Sequence, residues 1–272
     1  MKFAEYFTDK NHFTFLDEVR AGDEPWSALN SIGSMVDDFV CHEKGHLPGD
    51  FEKFLYFNYA PMPDGVSEDR SIMIMRTAFT HSPVCDSDLK IYIGPGTVLE
   101  TGVVIKGPCV IGERCEIRHG AYIRGNVIVG DECVIGHATE VKNSIIMDNS
   151  NAGHFNYLGD SIMGSYCNLG AGTILANLKF RTREEILSGK IRNIRTNSHT
   201  GQMIGSDRNK LGAVIGDFTE IGCNTVVLPG ALVGSDCWIY PNTTVNRGVY
   251  PPGSVIRGKG ALDLEIVKRK SI

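Results

Sequence analysis

An all-β solenoid is predicted for this 272-residue chain, and three features of the sequence carry the prediction. Aliphatic residues fall at Ile93, Leu99, Ile105, Ile111, Ile117, Ile123, Val129, Ile135, Val141 and Met147, each six after the last. Four positions after most of them stands a small or β-branched residue: Thr97, Val103, Cys109, Cys115, Ala121, Val127, Cys133 and Thr139. The beat resumes at Ile215, Ile221, Val227, Val233, Ile239 and Val245, with Thr219, Thr225, Ala231, Cys237 and Thr243 in the small slot. A period of six fits neither the turn of a helix nor the two-residue alternation of a strand. It fits a short strand plus a tight corner, repeated around a triangular prism.

Three hexads make a coil of 18 residues, and coils stack at the strand spacing of about 4.8 Å. The aliphatic residue points inward and the small residue fills the corner. Cys109, Cys115, Cys133, Cys167 and Cys237 all take the small slot, where a thiol packs as a compact hydrophobe. The hexad pattern resembles the left-handed parallel β-helix family, whose hand is an exception to the right-handed crossover rule. Stacking also predicts surface columns. Gly94, Gly112 and Gly130 form one, where a corner needs a permissive backbone. Lys106, Arg124 and Lys142 form another, and three stacked cations repel unless an anion joins them, so the column reads as a phosphate site. His119 and His137 are also one coil apart and could share a metal across a subunit boundary.

Residues 1–88 lack the beat. "EPWSALNSIGSMVDDFV" predicts an amphipathic helix opening near Pro25 and Trp26, with Leu29, Ile32, Met35, Val36 and Val40 on one stripe. The following stretch, to about Asp88, reads as an extended arm that caps the first coil, because an open solenoid end exposes unpaired strand edges. The β-helix is expected over residues 89–260, interrupted by a protruding loop at 179–212. That stretch is rich in Lys and Arg and suits a site or an interface. The tail, 261–272, is expected to leave the prism and pack on its outside or on a neighbour.

An apolar share of 42% allows a full core, and a net charge of -5 argues against nucleic acid as the main partner. No run approaches the roughly 18 apolar residues of a membrane span, and the N-terminus lacks a signal sequence, so a cytoplasmic protein with reduced cysteines is expected. Cys41, His42 and His46 in "CHEKGH" have no second ligand pair at zinc spacing, and no metal is expected.

In "NAGHFNYLGDSIMGSYCNLGAGTILANL", residues 151–178, the count slips. From Met147 the inward beat passes to Leu158, Met163, Leu169 and Leu175, so one residue is dropped twice. The expectation is that each deletion tightens a corner and turns His154 and Tyr157 toward the basic column. This stretch, with "KLGAVIGDFTEIGCNTVVLPGALVGSDCWIYPNTTV", resembles the acetyltransferase domain of bifunctional sugar-1-phosphate acetyltransferase/nucleotidyltransferases, the latter segment especially their archaeal-type branch. The resemblance spans roughly 90–260. Nothing in residues 1–88 resembles the nucleotidyltransferase half, which disfavours uridylyl transfer.

The resemblance implies roles residue by residue. The catalytic histidine falls on His154, and the sugar-phosphate contacts fall on Arg124, Lys142, Tyr157 and Asn168. Asn177 stands near the base, and the amide of Ala171 faces the thioester oxygen. Toward coenzyme A lie Ala171, Cys223, Pro241 and Arg257. Leu178 departs from the tyrosine common in the glucosamine enzymes, and Cys223 from their serine. Acetyl transfer to an amine needs a base for the amine's proton and donors for the oxyanion, tasks that suit an imidazole and a Gly-rich corner. The expected function is therefore N-acetylation of an amino-sugar-1-phosphate by acetyl-CoA, by direct attack with His154 as base. The partners are those two small molecules and two further copies of the chain in a homotrimer with coenzyme A in the groove between prisms. The alternatives are a metal-dependent γ-carbonic-anhydrase-like trimer and a non-catalytic scaffold or nucleotide-sugar-binding trimer.

Overall fold

The computed structural model describes residues 3–8, 13–42, 55–58, 71–197 and 202–258. It is a three-sided parallel β-helix of hexapeptide repeats. Three nine-stranded sheets form its faces. The inward residues predicted from the beat, Ile93 to Val141 and Ile215 to Val245, are all buried in one continuous core with the small-slot threonines, cysteines and alanines around them. Burying each aliphatic side chain contributes roughly 1.5–3 kcal/mol, which is what winds the chain into coils. Burial also pushes the thiols of Cys109 and Cys167 well above the ordinary range, as suits inert packing groups.

The three faces differ outside. One, which we call the basic face, holds strands Tyr122–Arg124, Glu140–Lys142, Tyr157–Gly159 and Ile174–Leu175. The groove face holds Val134–His137, Asn151–His154, Asn168–Leu169, Glu220–Ile221 and Trp238–Ile239. The covered face runs through Ile91–Ile93, Cys109–Ile111, Val127–Val129, Ser144–Ile146, Ile162–Met163 and Ala213–Ile215. Its outward residues, among them Val110, Ile128, Ile145, Ile162 and Val214, are as buried as its inward ones.

They are covered by the N-terminal segment. Helix α1 (Leu16–Arg20) and helix α2 (Ile32–His42) lay their apolar residues on that face in a second core. The stripe Leu29, Ile32, Met35, Val36 and Val40 is buried as expected, but the helix does not open at Pro25. A 3-10 turn at Ser27–Asn30 comes first, and α2 starts after Ser31, whose hydroxyl bonds back to the Ala28 carbonyl at 3.1 Å. Such local bonding competes with helix continuation. The strands that follow cap the first coil in antiparallel fashion: Leu55–Asn58 on Ser71–Ile74, which pairs with Val104–Lys106, Ala78–Phe79 on Val98–Leu99, and Val84–Asp86 on Ile91–Ile93.

Two expectations are corrected. Met147 is not an inward residue: Val129 pairs with Ile146, and Ile146 is the core residue while Met147 faces the N-terminal helices. The dropped residues therefore fall at corners from the basic to the covered face, where Asn143 alone, and one coil later Asp160, does what Gly125 and Asn126 do below. The glycine column 94, 112 and 130 is absent from the positive-φ positions of the backbone. Its glycines are required by close approach: a Cβ on Gly94 or Gly130 would stand 2.7–2.8 Å from backbone atoms of the next coil.

The loop after the fifth coil carries elements of its own. It contains helix α3 (Arg183–Ser188) and an antiparallel pair, Arg195–Asn197 with Met203–Gly205. Residues 261–272, where a tail packed on the outside is expected, and residues 43–50, with His46, lie outside the described residues. Among the described residues no helix is long and apolar enough to cross a membrane.

The stacking yields a paired prediction. A methyl at Gly136 would meet the Gly153 carbonyl of the next coil, whereas one at Gly153 meets nothing within 4 Å. Gly136→Ala is expected to cost about 3 kcal/mol in chemical denaturation and Gly153→Ala less than about 0.5 kcal/mol.

Candidate functional site

His154 ends its strand at the corner between the groove face and the basic face. Its backbone N–H donates to Asn156 Oδ1 at 3.0 Å, and Asn156, buried, donates onward to the Gly170 carbonyl at 2.8 Å. The corner is thus held by Asn156, with Phe155 at φ +52°, and the His154 side chain is exposed. His154 keeps ordinary register with His137 below it, so the dropped residues do not present it. His119 and His137 stack at 5.5 Å with rings 10° apart, each held by its Nδ1 on a carbonyl, of Thr101 and His119 respectively.

The basic column stands as predicted, with Arg124 beside Lys106 and one coil below Lys142. The protein itself supplies much of the compensation that an external anion was expected to give. Arg124 Nη1 bonds Glu140 Oε1 at 2.7 Å, and Lys106 and Arg124 both lie over the Tyr122 ring, at 5.9 and 5.7 Å. Desolvation draws the Lys142 ammonium below the ordinary lysine range; Asp160 opposes this, while Lys210 and Arg124 reinforce it. Burial pushes the Tyr157 phenol up, with Glu140 and Asp160 adding, so its hydroxyl keeps its proton at neutral pH.

Asn177 meets this face from the next coil. Its Nδ2 donates to Asp160 Oδ2 at 2.6 Å, and its amide hydrogen-bonds the Tyr157 hydroxyl. Ala171 sits at the corner after Gly170, where its carbonyl accepts from Asn224. Among the described residues its N–H has no hydrogen-bond partner, so it is available to an oxyanion. Asn168 is on the groove face, donating to Glu220 Oε2 at 3.1 Å. There it lines an open groove of about 390 Å³ with Cys223, Trp238, Tyr240 and Pro241, and Arg257 follows the strand next to Trp238–Ile239.

The structure therefore brings Arg124, Lys142, Tyr157 and Asn177 together on the basic face. It sets His154 and Ala171 at the adjoining corner and places Asn168, Cys223, Pro241 and Arg257 on the groove face. Sequence reasoning missed Glu140, Asp160 and Arg208. The signal for Asp160 lay in the slipped count, since it is a one-residue corner.

The inserted arm begins at Asn177 and is pinned by Glu185. Thr182 and Glu185 form a capping box on α3, and the Glu185 carboxylate also bonds Lys179 Nζ, Arg192 N and Arg192 Nε at 3.0–3.1 Å. The backbone amides of Thr182 and Arg192 hold that carboxyl well below the usual carboxylate range.

A three-sided prism of hexapeptide repeats with a cationic, phenol-bearing face beside an exposed imidazole defines a hexapeptide-repeat protein. Residues 105–256 match the family described as the GMPPB C-terminal domain, and the chain belongs to that family. It is 40% identical over 104 residues to the bifunctional sugar-1-phosphate nucleotidylyltransferase/acetyltransferase of Sulfurisphaera tokodaii, covering 38% of this chain and 23% of that protein. It is 30% identical over 179 residues to the bifunctional protein GlmU of Clostridium botulinum, covering 66% of this chain and 32% of that one. The chain thus spans about a quarter to a third of the length of these relatives. Among solved structures, the Francisella novicida UDP-N-acetylglucosamine acyltransferase matches at 19% identity and a TM-score of 0.43, over 57% of this chain and 52% of that one.

Because the folded-state value of Glu185 is depressed, its clamp is complete above the ordinary glutamate range near 4.3 and is lost only as pH falls through the lower folded value. Hydrogen exchange of residues 182–192 is therefore expected to be as protected at pH 5.5 as at pH 7.5. Glu185→Gln is expected to open the arm at both, read as several-fold lower protection at each pH and, at pH 7.5, as several-fold faster tryptic cleavage after Arg181, Arg183 or Lys190.

Proposed function

We propose that this protein is an acetyl-CoA-dependent N-acetyltransferase acting on an amino-sugar-1-phosphate of the glucosamine-1-phosphate kind. The observation that carries the reading is the convergence of Arg124, Lys142 and Tyr157 on one face beside the exposed His154, in a chain whose relatives include a sugar-1-phosphate acetyltransferase. Two cations and a protonated phenol suit a sugar phosphate dianion.

In this reading the sugar amine, uncharged, attacks the thioester carbonyl while His154 takes the proton it sheds. A C–N bond forms, the carbonyl pair moves to oxygen, and the N–H of Ala171 holds the oxyanion. Collapse breaks the C–S bond, and the thiolate of coenzyme A leaves and is reprotonated. Asn177 orders the polar groups around the amine. Coenzyme A lies along the groove face past Cys223, Pro241 and Arg257, with Asn168 at its entrance to the sugar site. The covered face is occupied by the chain's own N-terminal helices, so neighbouring prisms of a homotrimer meet through the other two. Leu178, 38% exposed at the root of the arm, faces the substrate side without a hydroxyl and sets which amino sugar is accepted.

His154→Ala is expected to lower turnover on the order of a hundredfold or more, in a thiol-release assay with acetyl-CoA and glucosamine-1-phosphate, with an unchanged denaturation curve. Near-normal turnover would remove the base from His154. Sedimentation equilibrium is expected to give a trimer; a monomer with full activity would remove the shared groove.

A further inference from the structure

Asp160 is the second of the two one-residue corners, with φ +47° and 3% exposure. Its Oδ1 accepts from Asn143 Nδ2 at 2.8 Å and Arg208 Nη2 at 2.9 Å, and its Oδ2 from Asn177 Nδ2 at 2.6 Å. Arg208 extends the cluster, through Nη1, to the Asn30 side chain of the N-terminal segment. None of these contacts is needed to close a coil, since the backbone at this corner is already bonded: Asp160 N to the Lys142 carbonyl, Gly212 N to the Asp160 carbonyl.

A carboxylate has no hydrogen to give. Facing one, Asn177 must turn its NH₂ inward and its Oδ1 away, which settles an orientation that shape alone leaves open. The same amide meets the Tyr157 hydroxyl, and it draws that phenol's pKa down against the larger upward push of burial, as a donor to the phenol oxygen does. Both groups border the same glycine: a Cβ on Gly159 would stand 2.5 Å from Tyr157 Oη and 2.6 Å from Asn177 Nδ2, so that glycine is required by these two side chains. A tyrosine that accepts from Asn177 keeps its own proton for a ligand.

We propose that Asp160 is a positioning residue: clamped by Arg208 and Asn143, it fixes Asn177 so that the Tyr157 hydroxyl donates outward, to an anionic oxygen bound on the basic face. This rests on the reading of that face as the sugar-phosphate site. It gives the slipped count a purpose, because a second residue at this corner would carry the carboxylate away from Asn177.

Asp160→Asn keeps the shape but lets residue 160 donate, so Asn177 can reverse and Tyr157 must donate inward. The KM for glucosamine-1-phosphate is expected to rise about tenfold or more and that for acetyl-CoA to stay within about twofold. In a Tyr157→Phe background the same change is expected to add less than about twofold, because the group being aimed is gone. Equal effects in the two backgrounds overturn the proposal. Should Asp160→Asn alone fold poorly, the pair Asp160→Asn with Arg208→Gln removes the buried unpaired charge. Restoration of the wild-type KM by that pair would also overturn it, leaving Asp160 as only the partner of Arg208.

A second readout needs no substrate. The Tyr157 phenol is titrated as the ultraviolet difference between proteins with and without that tyrosine, in wild type and in Asp160→Asn. The charged groups facing it are Glu140, Asp160 and Arg124. Loss of the Asp160 charge lowers the midpoint in any case, whereas an Asn177 that reverses and no longer donates raises it. Asp160→Asn is therefore expected to lower the midpoint less in the wild type than in an Asn177→Ala background; equal falls in the two backgrounds overturn the proposal. Unequal falls in a protein that neither binds nor acetylates glucosamine-1-phosphate would uphold the positioning and sink the functional reading.

Discussion

Each coil must close onto the one below it in register, so that an inward residue lands one strand spacing above another inward residue. The rest of the molecule follows from that constraint. A strand of two or three residues has too few hydrogen bonds to stand alone, and only the ladder through the nine strands of its sheet makes it persist. A residue added or lost at a corner leaves the core untouched as long as the next strand regains its inward face. Corners are therefore where this fold tolerates change, and they are where its chemistry-bearing groups lie: His154 and Ala171 at one edge, Asn143 and Asp160 at another, and the whole arm inserted after Asn177.

The same constraint explains the three unlike faces. On the basic and groove faces the strands alternate, inward residue buried and outward residue polar or half-exposed, as in Glu140–Lys142 and Tyr122–Arg124. On the covered face they are apolar throughout, as in Cys109–Val110–Ile111 and Val127–Ile128–Val129. A strand buried on both sides reads as a continuous apolar run. The N-terminal helices are held to that face by more than apolar contact: the carbonyls of Glu5 and Tyr6 accept from Ser235 and Asp217, and Thr8 donates to the Asp217 carboxylate.

Much of this was legible in the sequence, and its gaps have physical causes. The inward ladder showed because burial on one side imposes a period that nothing else in the chain shares. The runs of three apolar residues on the covered face carried the information that something lies over it, but a six-residue count does not read them. That is also why Met147 passed for an inward residue. In Ile145–Ile146–Met147 every side chain is buried, so the sequence offers no contrast to show where the register steps back by one. The basic column was legible because its members sit one coil apart, a spacing fixed by the fold. Asp160 and Arg208 were not, since they are 48 residues apart in sequence and Arg208 and Asn30 are 178 apart; no local pattern relates them.

The division of the candidate residues between faces has a consequence for how the site is completed. Tyr157 and Lys142 look out from one side of a triangular prism, Asn168 and the Trp238–Tyr240 groove from another, and the edge between them carries His154. A ligand lying flat on either face reaches only half of these groups. One that uses both must straddle the edge, where a single prism offers a convex ridge open to water. A second prism laid against the ridge turns it into the wall of a cleft. That excludes water and strengthens each charge on the basic face, where desolvation already holds Lys142 below its ordinary range. The chain has closed its third face with its own helices, so the two faces left free are those that share this ridge. On the proposed function, assembly and catalysis draw on the same surface, and Asp160, in the role proposed for it, stiffens one face from behind the corner without touching a ligand.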